Sequence, residues 1–484
     1  MAQTVVWGTG RARAVLATTI LGSGLAMLDS TIVNVALPHI GAELGASVAG
    51  LQWVLDGYLL SLAALVLVAG SLGDRYGRRR VFTAGVLWFG VASLLCGLAP
   101  TTELLVVARV LQGVGGALLT PGSLAILQSV FTRADRAKAI GAWSGLSGVA
   151  AAVGPLVGGL LVQAWSWRPA FLVNLPLAAV CVWLARRHVP ESRDEESSDH
   201  PNIADSVIGA LGLTGITAAL VEAPVRGPDA LVVSAAVVGV AGLVVFVVRQ
   251  VRGRDPLVPP HLFSDRTFVL ANALTFLVYA ALTGVTVLMV LQLQVSLHYT
   301  PTAAGLAGLP ITAIMLVLSA RAGNLAQRIG PKVQLIGGPI VLGVGMLMLR
   351  WAEPGASYWT GVLPGVVVFG LGLAAVVAPV TATALAAAPD RYAGVASGVN
   401  NAVARTGGLV AVAVLPAVAG LSGGAYADPA ALTGGWRTAL LVCAGAAVAG
   451  GLLALGADNG VLGAAATRDD DPDPADSPAT RVGP

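Results

Sequence analysis

Few residues in this chain could do chemistry, and each stands out against apolar neighbours. Asp29 sits in the run LDSTIVNVALP, Leu28 to Pro38, and Arg109 in LVVARVLQGVGGA, Leu105 to Ala117. Asp56, Glu222 and Arg405 are further isolated charges within or beside apolar runs, and Tyr58 follows Asp56 by two positions. Desolvation disfavours the charged form of a carboxyl group, so a buried aspartate takes up a proton and releases it when water or a cation comes near. Asp29, on an otherwise uncharged run, is therefore the candidate proton carrier. Its competing role is structural, pairing with a cation or capping a broken helix. Arg109 could tune that carboxylate, bind a substrate group, or hold helix carbonyls as a hydrogen-bond hub. Asp56 at the mouth of one run, Glu222 at the end of another and Arg405 inside a third are candidates to line a cavity. The two carboxylates could equally be solvated at an interface, and Tyr58 could belong either to the cavity or to an interfacial aromatic belt.

The elements that must position these residues follow from composition. Of 484 residues, 56% are hydrophobic and 11% charged, where a soluble domain carries about a quarter charged residues. Such a chain needs lipid around it. Apolar runs of about 20 residues, enough to span the hydrocarbon core as helices, fall near 14–37, 51–73, 81–99, 104–127, 139–162, 169–185, 205–222, 230–248, 267–292, 303–325, 334–350, 361–385, 394–419 and 436–456. The expected fold is an all-α integral membrane protein with fourteen transmembrane helices. No cleavable signal is expected, because the first run is too long for a signal h-region and has no A-x-A-like exit. With the N-terminus placed inside, 21 of the 28 lysines and arginines fall in inside loops and four outside. That asymmetry predicts both termini cytoplasmic. Trp53, Trp165, Trp167, Trp351, Trp359 and Trp436 then fall at the outer interface, as an aromatic belt would. The three cysteines and five histidines are scattered without metal or redox spacing. No stretch is long and polar enough for a soluble catalytic domain, and no G-x-x-x-x-G-K-[ST] is present, so ATP is not the energy source within this chain.

Two turns carry a repeated pattern. Gly70 to Arg80 reads GSLGDRYGRRR, and Gly323 to Lys332 reads GNLAQRIGPK. A tight turn with close-packed helix ends recurs after half a chain, which is the mark of a transporter built from two related bundles. In the fifth run, AAAVGPLVGG, Ala150 to Gly159, small residues at four-residue spacing would let helices pack closely around a proline kink.

With these motifs in order, the chain resembles the major facilitator superfamily, and within it the 14-helix drug:proton antiporters. The first turn matches the family's motif A at Gly70, Leu72, Asp74, Arg75, Gly77, Arg78 and Arg79; Leu28 to Pro38 matches the first-helix motif; Arg109, Gln112 and Gly113 match motif B; and Gly154, Pro155, Gly158 and Gly159 match motif C, with Ala150 in place of its first glycine. Gln327 stands where the second copy of motif A carries an acidic residue, which implies a weaker gating role for that copy. The resemblance implies two six-helix bundles, residues 1–190 and 263–460, joined by a linker with two additional helices, 191–262, and followed by a disordered cytoplasmic tail, 461–484. It implies a multi-pass protein of the plasma (inner) membrane that exports amphipathic or cationic small molecules by alternating access, driven by the proton gradient and with no cofactor or metal. In that scheme Asp29 and Arg109 couple the proton, the Gly70–Arg80 turn latches the bundles, and the fifth helix helps to seal one bundle against the other. The expected partners are a small-molecule substrate, protons and the lipid bilayer, with no nucleic acid, and the chain is expected to act as a monomer. Export of one dedicated metabolite, such as an antibiotic or siderophore, is the alternative. A membrane enzyme or receptor would need a catalytic cluster or a soluble domain that the sequence does not display.

Overall fold

The computed structural model describes residues 5–193, 203–253, 256–389, 392–421, 425, 426 and 428–463. The loop arginines Arg254 and Arg391 and nearly all of the expected disordered tail lie outside these residues. Sixteen α-helices are described: α1 (Gly10–Leu44), α2 (Val48–Tyr76), α3 (Arg78–Leu98), α4 (Thr102–Val130), α5 (Arg133–Ala164), α6 (Pro169–Leu172), α7 (Asn174–His188), α8 (Ile203–Arg226), α9 (Ala230–Arg252), α10 (Arg266–Leu291), α11 (Pro301–Ala307), α12 (Leu309–Ile329), α13 (Lys332–Met348), α14 (Leu363–Ala386), α15 (Ala393–Val418) and α16 (Pro429–Leu453). The short α6 and α11 continue into α7 and α12. Thirteen described segments are long and apolar enough to cross a membrane; α5, 32 residues long, is the fourteenth long helix. The protein is a multi-pass all-α membrane protein.

The helices outrun the apolar runs because capping residues, not hydropathy, set their ends. Ser47 accepts the Gly50 N–H (3.1 Å) ahead of α2, and Asp265 accepts the Phe268 N–H (2.9 Å) ahead of α10. This moves one expectation. Asp56 is not at the mouth of the second helix; α2 starts at Val48, so Asp56 lies about 12 Å further in, at 1.5 Å rise per residue.

Helices α1–α7 pack among themselves, as do α10–α16, while α8 and α9 form a hairpin that leans mainly on α2. One face of the protein carries the arginine-rich α2–α3 turn and is called here the basic face; the other is the far face. Towards the far face a single apolar core joins both groups, with Ile32, Val54 and Trp167 from the first and Val285, Leu349 and Trp436 from the second. Towards the basic face the cores separate, one around Phe82, Phe89 and Phe131, another around Val258, Phe268 and Val399. The two groups are therefore joined at the far face. Of the tryptophans expected in a belt, Trp165, Trp351 and Trp359 are exposed, whereas Trp167 and Trp436 are fully buried in the joint core.

Candidate functional site

The centre of the first group holds a compact polar cluster. Arg109 Nη1 lies 2.5 Å from Asp29 Oδ2, and the two side chains are 1% and 0% exposed. Asp29 Oδ1 accepts from Gln112 Nε2 (2.8 Å) and from Asn174 Nδ2 (3.0 Å). Gln112 Nε2 also reaches Ser93 Oγ (2.8 Å), and its Oε1 accepts from Arg109 Nη1. The remaining guanidinium bonding is fixed by α2: Arg109 Nε donates to the Val54 carbonyl (3.0 Å), and the guanidinium carbon stands 4.3 Å from the Tyr58 ring centroid. Helices α1, α3, α4 and α7 supply the hydrogen-bonding side chains, and α2 supplies a carbonyl and an aromatic face.

Close helix packing makes this reach possible. A Cβ at Gly113 would lie 2.4 Å from the Tyr58 carbonyl oxygen, and one at Gly115 would lie 2.7 Å from the Phe89 nitrogen. Only glycine lets α4 press against α2 on one side and α3 on the other. The result is a carboxylate with three donors and a cation with partners on several sides. Burial of such a pair is tolerated only with that completeness of bonding, because each ion loses several kcal/mol of hydration.

The structure brings Asp29, Arg109 and Tyr58 together. Asp29 is thus not a lone carboxylate on an uncharged surface: Arg109, 80 residues away in sequence, meets it directly. Asp56 is fully buried, and neither of its carboxyl oxygens has a hydrogen-bond partner among the described residues, so it is no solvated interfacial group. Arg405 is half-buried on α15, has no hydrogen bond or ion pair among the described residues, and lies within electrostatic reach of Tyr58 and Tyr279. Glu222 is elsewhere, accepting from Trp53 Nε1 (3.0 Å) and pairing with Arg226 (3.0 Å) near the far end of α8. It ties α8 to α2 and does not join the cluster.

The fifth-helix motif lies between α1 and the second group. A Cβ at Gly154 would lie 1.9 Å from Thr31 Oγ1, and one at Gly158 would lie 3.1 Å from the Ile32 Cα. On the other side, a Cβ at Gly159 would lie 2.5 Å from the Thr302 Cα, while Gly305 packs against the Pro155 carbonyl. Two further ties cross between the groups nearby. Gln52 Nε2 donates to the Val412 carbonyl (2.8 Å), and Gln294 Nε2 to the Val35 carbonyl (3.0 Å). A gap of about 20 Å³, lined by Leu37, Gln52, Val412 and Tyr426, is what remains there, little more than one water occupies.

The turn from Gly70 to Arg80 is built around Gly77, whose φ of 107° is open to glycine. Glu191, just past α7, closes over it. Glu191 Oε1 accepts the Arg79 N–H (3.1 Å), its Oε2 lies 3.5 Å from Arg79 Nε and 3.6 Å from Arg80 Nε, and Arg78 N–H donates to the Ser192 carbonyl (3.0 Å). These contacts hold the turn to its own group. The side chain of Asp74 lies outside the described residues.

In the sequence Gln112 stands out only as a motif B position, and Ser93, Asn174 and Glu191 do not stand out. For Asn174 and Ser93 the signal was present but faint: a lone amide or hydroxyl inside an apolar span needs a partner, but sequence does not say which. Glu191 sits in what reads as a polar linker.

Known proteins bear on this arrangement. The sequence profile of the Major Facilitator Superfamily matches residues 19–412 and 273–481. The chain is 36% identical to the "Multidrug resistance protein Stp" of Mycobacterium tuberculosis over 83% of this chain and 75% of that protein. It is 36% identical to the "Puromycin resistance protein pur8" of Streptomyces alboniger (83% and 80% covered) and 34% identical to the "Tetracenomycin C resistance and export protein" of Streptomyces glaucescens (84% and 76%). A crystal structure of a peptide transporter POT in complex with sulfate superposes with a TM-score of 0.68 at 14% identity, covering 97% of this chain and 96% of that one; this likeness concerns the fold alone. With the family profile matching most of its length and relatives at 34–36% identity over more than four fifths of it, the chain belongs to the Major Facilitator Superfamily.

Proposed function

We propose that this protein exports amphipathic or cationic small molecules across the plasma membrane in exchange for protons, by alternating access, with both termini and the basic face in the cytoplasm. The observation that carries the reading is the buried Asp29–Arg109 pair with its two amide donors. A protonated Asp29 no longer holds the guanidinium, and Arg109 is then free to turn on its bonds to Val54 and Gln112. Loss of the proton restores the pair. Proton occupancy thus has a direct mechanical consequence at the helices α1 and α4, and in this scheme Arg109 is the counter-ion that makes the exchange tolerable in a low dielectric. The far-face closure seen around Gly159 and Gln52 fits a cytoplasm-facing state after proton release. Asp56 and Arg405, both without partners among the described residues, are the cavity charges available to a substrate. Glu222, held by Trp53 and Arg226, is the weakest of the cavity candidates. For an uncharged substrate, one proton entering through 100 mV is worth about 2.3 kcal/mol, enough for a gradient of tens-fold; a monocation exchanged one for one moves no net charge and is driven by the pH gradient.

Residues 1–190 and 263–460 are proposed as the two moving bundles, with the chain acting as a monomer and Gly70, Asp74, Arg75, Gly77 and Arg78 forming the latch that alternates between them. A dedicated exporter of one metabolite is favoured by the names of the Streptomyces relatives, which concern single antibiotics. The test is efflux of a fluorescent lipophilic cation from energised cells, with an uncoupler and with Asp29→Asn. Efflux that stops in both cases supports the reading. Efflux that survives Asp29→Asn at equal expression assigns coupling elsewhere. Efflux of tested antibiotics but not of the dye supports the dedicated exporter.

A further inference from the structure

Helices α8 and α9, beyond the twelve of the two bundles, have no part in the cluster around Asp29. Their mutual packing is tight: a Cβ at Gly215 would lie 2.6 Å from the Gly239 Cα, and one at Gly242 would lie 2.9 Å from the Gly212 Cα. At the basic-face end the hairpin is stapled. Asp205 Oδ2 accepts from Gln250 Nε2 (2.8 Å), Arg249 pairs with Asp205, and Gln250 Oε1 accepts the Val258 N–H (3.2 Å). Between the hairpin and the seam where α2 meets α15 lies a cavity of about 600 Å³.

The cavity wall is apolar. Ala63 comes from α2, Ala210 from α8, Phe246 from α9, Phe276 from α10 and Ala402 from α15. Few polar groups reach it, and most are committed. Gln250 is held by Asp205 and Val258, and Thr406 donates to the Ala402 carbonyl (2.9 Å). Ser206 is the exception: it lines the cavity, is 4% exposed, and its hydroxyl has no partner among the described residues. A buried hydroxyl normally finds one. The volume falls within the range of roughly 300–1,000 Å³ usual for small-molecule sites, and the stretch from Ser206 to Leu213 places it over about 10 Å of the basic-face half of the span.

We propose that this cavity is a membrane-side binding site for a compact, uncharged amphiphile with an apolar body and a single hydrogen-bonding group that engages Ser206 Oγ. The ligand enters from the cytoplasmic leaflet, since the walls are apolar and lie at hydrocarbon depth. An acyl chain would leave the hydroxyl unsatisfied, so a small amphiphile fits better than a lipid tail. This inference rests on the transport reading in one respect: the site then holds substrate beside the seam that opens between the bundles, which gives α8 and α9 their purpose.

The test uses the full chain in nanodiscs and N-phenyl-1-naphthylamine, an uncharged amphiphile with one N–H whose fluorescence rises in apolar sites, with empty nanodiscs subtracted. Saturable binding is expected, weakened about tenfold or more by Ala210→Trp and Ala402→Trp, which fill the cavity, and about threefold by Ser206→Ala. Gly434→Trp, at an open position on α16, leaves it unchanged. Thermal unfolding checks that each variant folds; if both tryptophan variants fail, Phe246→Ala, which enlarges the cavity, must shift the affinity. No saturable binding to the wild-type chain, or equal binding to every cavity variant, overturns the proposal. So does phospholipid that co-purifies with the wild type and is lost from Ala210→Trp while the probe does not bind. Asp29→Asn must leave probe binding intact. A chain that binds the probe yet pumps nothing sinks the transport reading alone, and one that pumps without binding it sinks the cavity alone.

Discussion

The two helical groups share one architecture but not one interior. The first buries an aspartate and an arginine with Gln112, Asn174 and Ser93 around them. Among the described residues the second group buries no charged side chain; its interior polar groups are amides and hydroxyls, such as Asn400 donating to Asn272 (3.2 Å) and Thr275 (3.0 Å). The same contrast recurs at the repeated turns. Gly77 and Gly330 both have positive φ, 107° and 85°. Each is covered by a side chain that follows the last helix of its group and accepts the N–H two positions on. In the first group this is Glu191, facing Arg79 and Arg80; in the second it is Asn459, accepting the Lys332 N–H (3.0 Å). Geometry has been kept in both groups while ionisable chemistry is concentrated in one. A framework needs only satisfied hydrogen bonds, whereas a proton-coupled step needs a group that changes charge.

The comparison can be broken most severely at the ion pair. Arg109→Ala leaves a buried carboxylate without its cation and is expected to destabilise the protein by about 3–5 kcal/mol, read as a fall in thermal midpoint in detergent. Adding Asp29→Asn to Arg109→Gln replaces the ion pair by neutral amides like those of the second interior and leaves Asp56 as the buried acid of the first. That double variant is expected to regain most of the wild-type stability while losing coupled efflux about a hundredfold or more. Removing a single donor is milder: Asn174→Leu takes one hydrogen bond from a charged acceptor and should cost about 1.5–3 kcal/mol, measured the same way. At the seam, Gly159→Leu is expected to prevent the close approach to Thr302, increasing thiol labelling of a cysteine placed at Val412 and slowing efflux about tenfold. The smallest effect belongs to Glu191→Gln, which makes the first turn resemble the second. Glu191 and Arg79 side chains are 22% and 31% exposed, so the loss should be about 0.2–1 kcal/mol.

Much of this was legible in the sequence. Runs of apolar residues interrupted by loop arginines located the spans, and the turn at Gly77 and its weaker copy at Gly330 announced the repeat. Asp29 and Arg109 were conspicuous because a charge inside an apolar run is expensive. Their pairing was not legible, since nothing in linear order says that α1 and α4 bring Asp29 and Arg109 face to face, or that Gly113 and Gly115 let α4 close on α2 and α3. Asp56 was misplaced because hydropathy ignores the Ser47 cap that starts α2 early. Trp167 and Trp436 read as interfacial because span ends were the only guide, yet both lie where the groups share a core. The α8–α9 cavity leaves no trace in hydropathy, because its wall has the same composition as a lipid-facing surface.

Proton release on substrate binding tests the central claim most directly. Purified protein in weakly buffered nanodiscs, first brought to its proton-loaded state by acidification and with a pH-sensitive dye in solution, is mixed with a transported lipophilic cation. The account predicts release of protons by the wild type and none by Asp29→Asn, although the variant still binds the cation. Equal proton release from both proteins would contradict it and remove Asp29 from the coupling step.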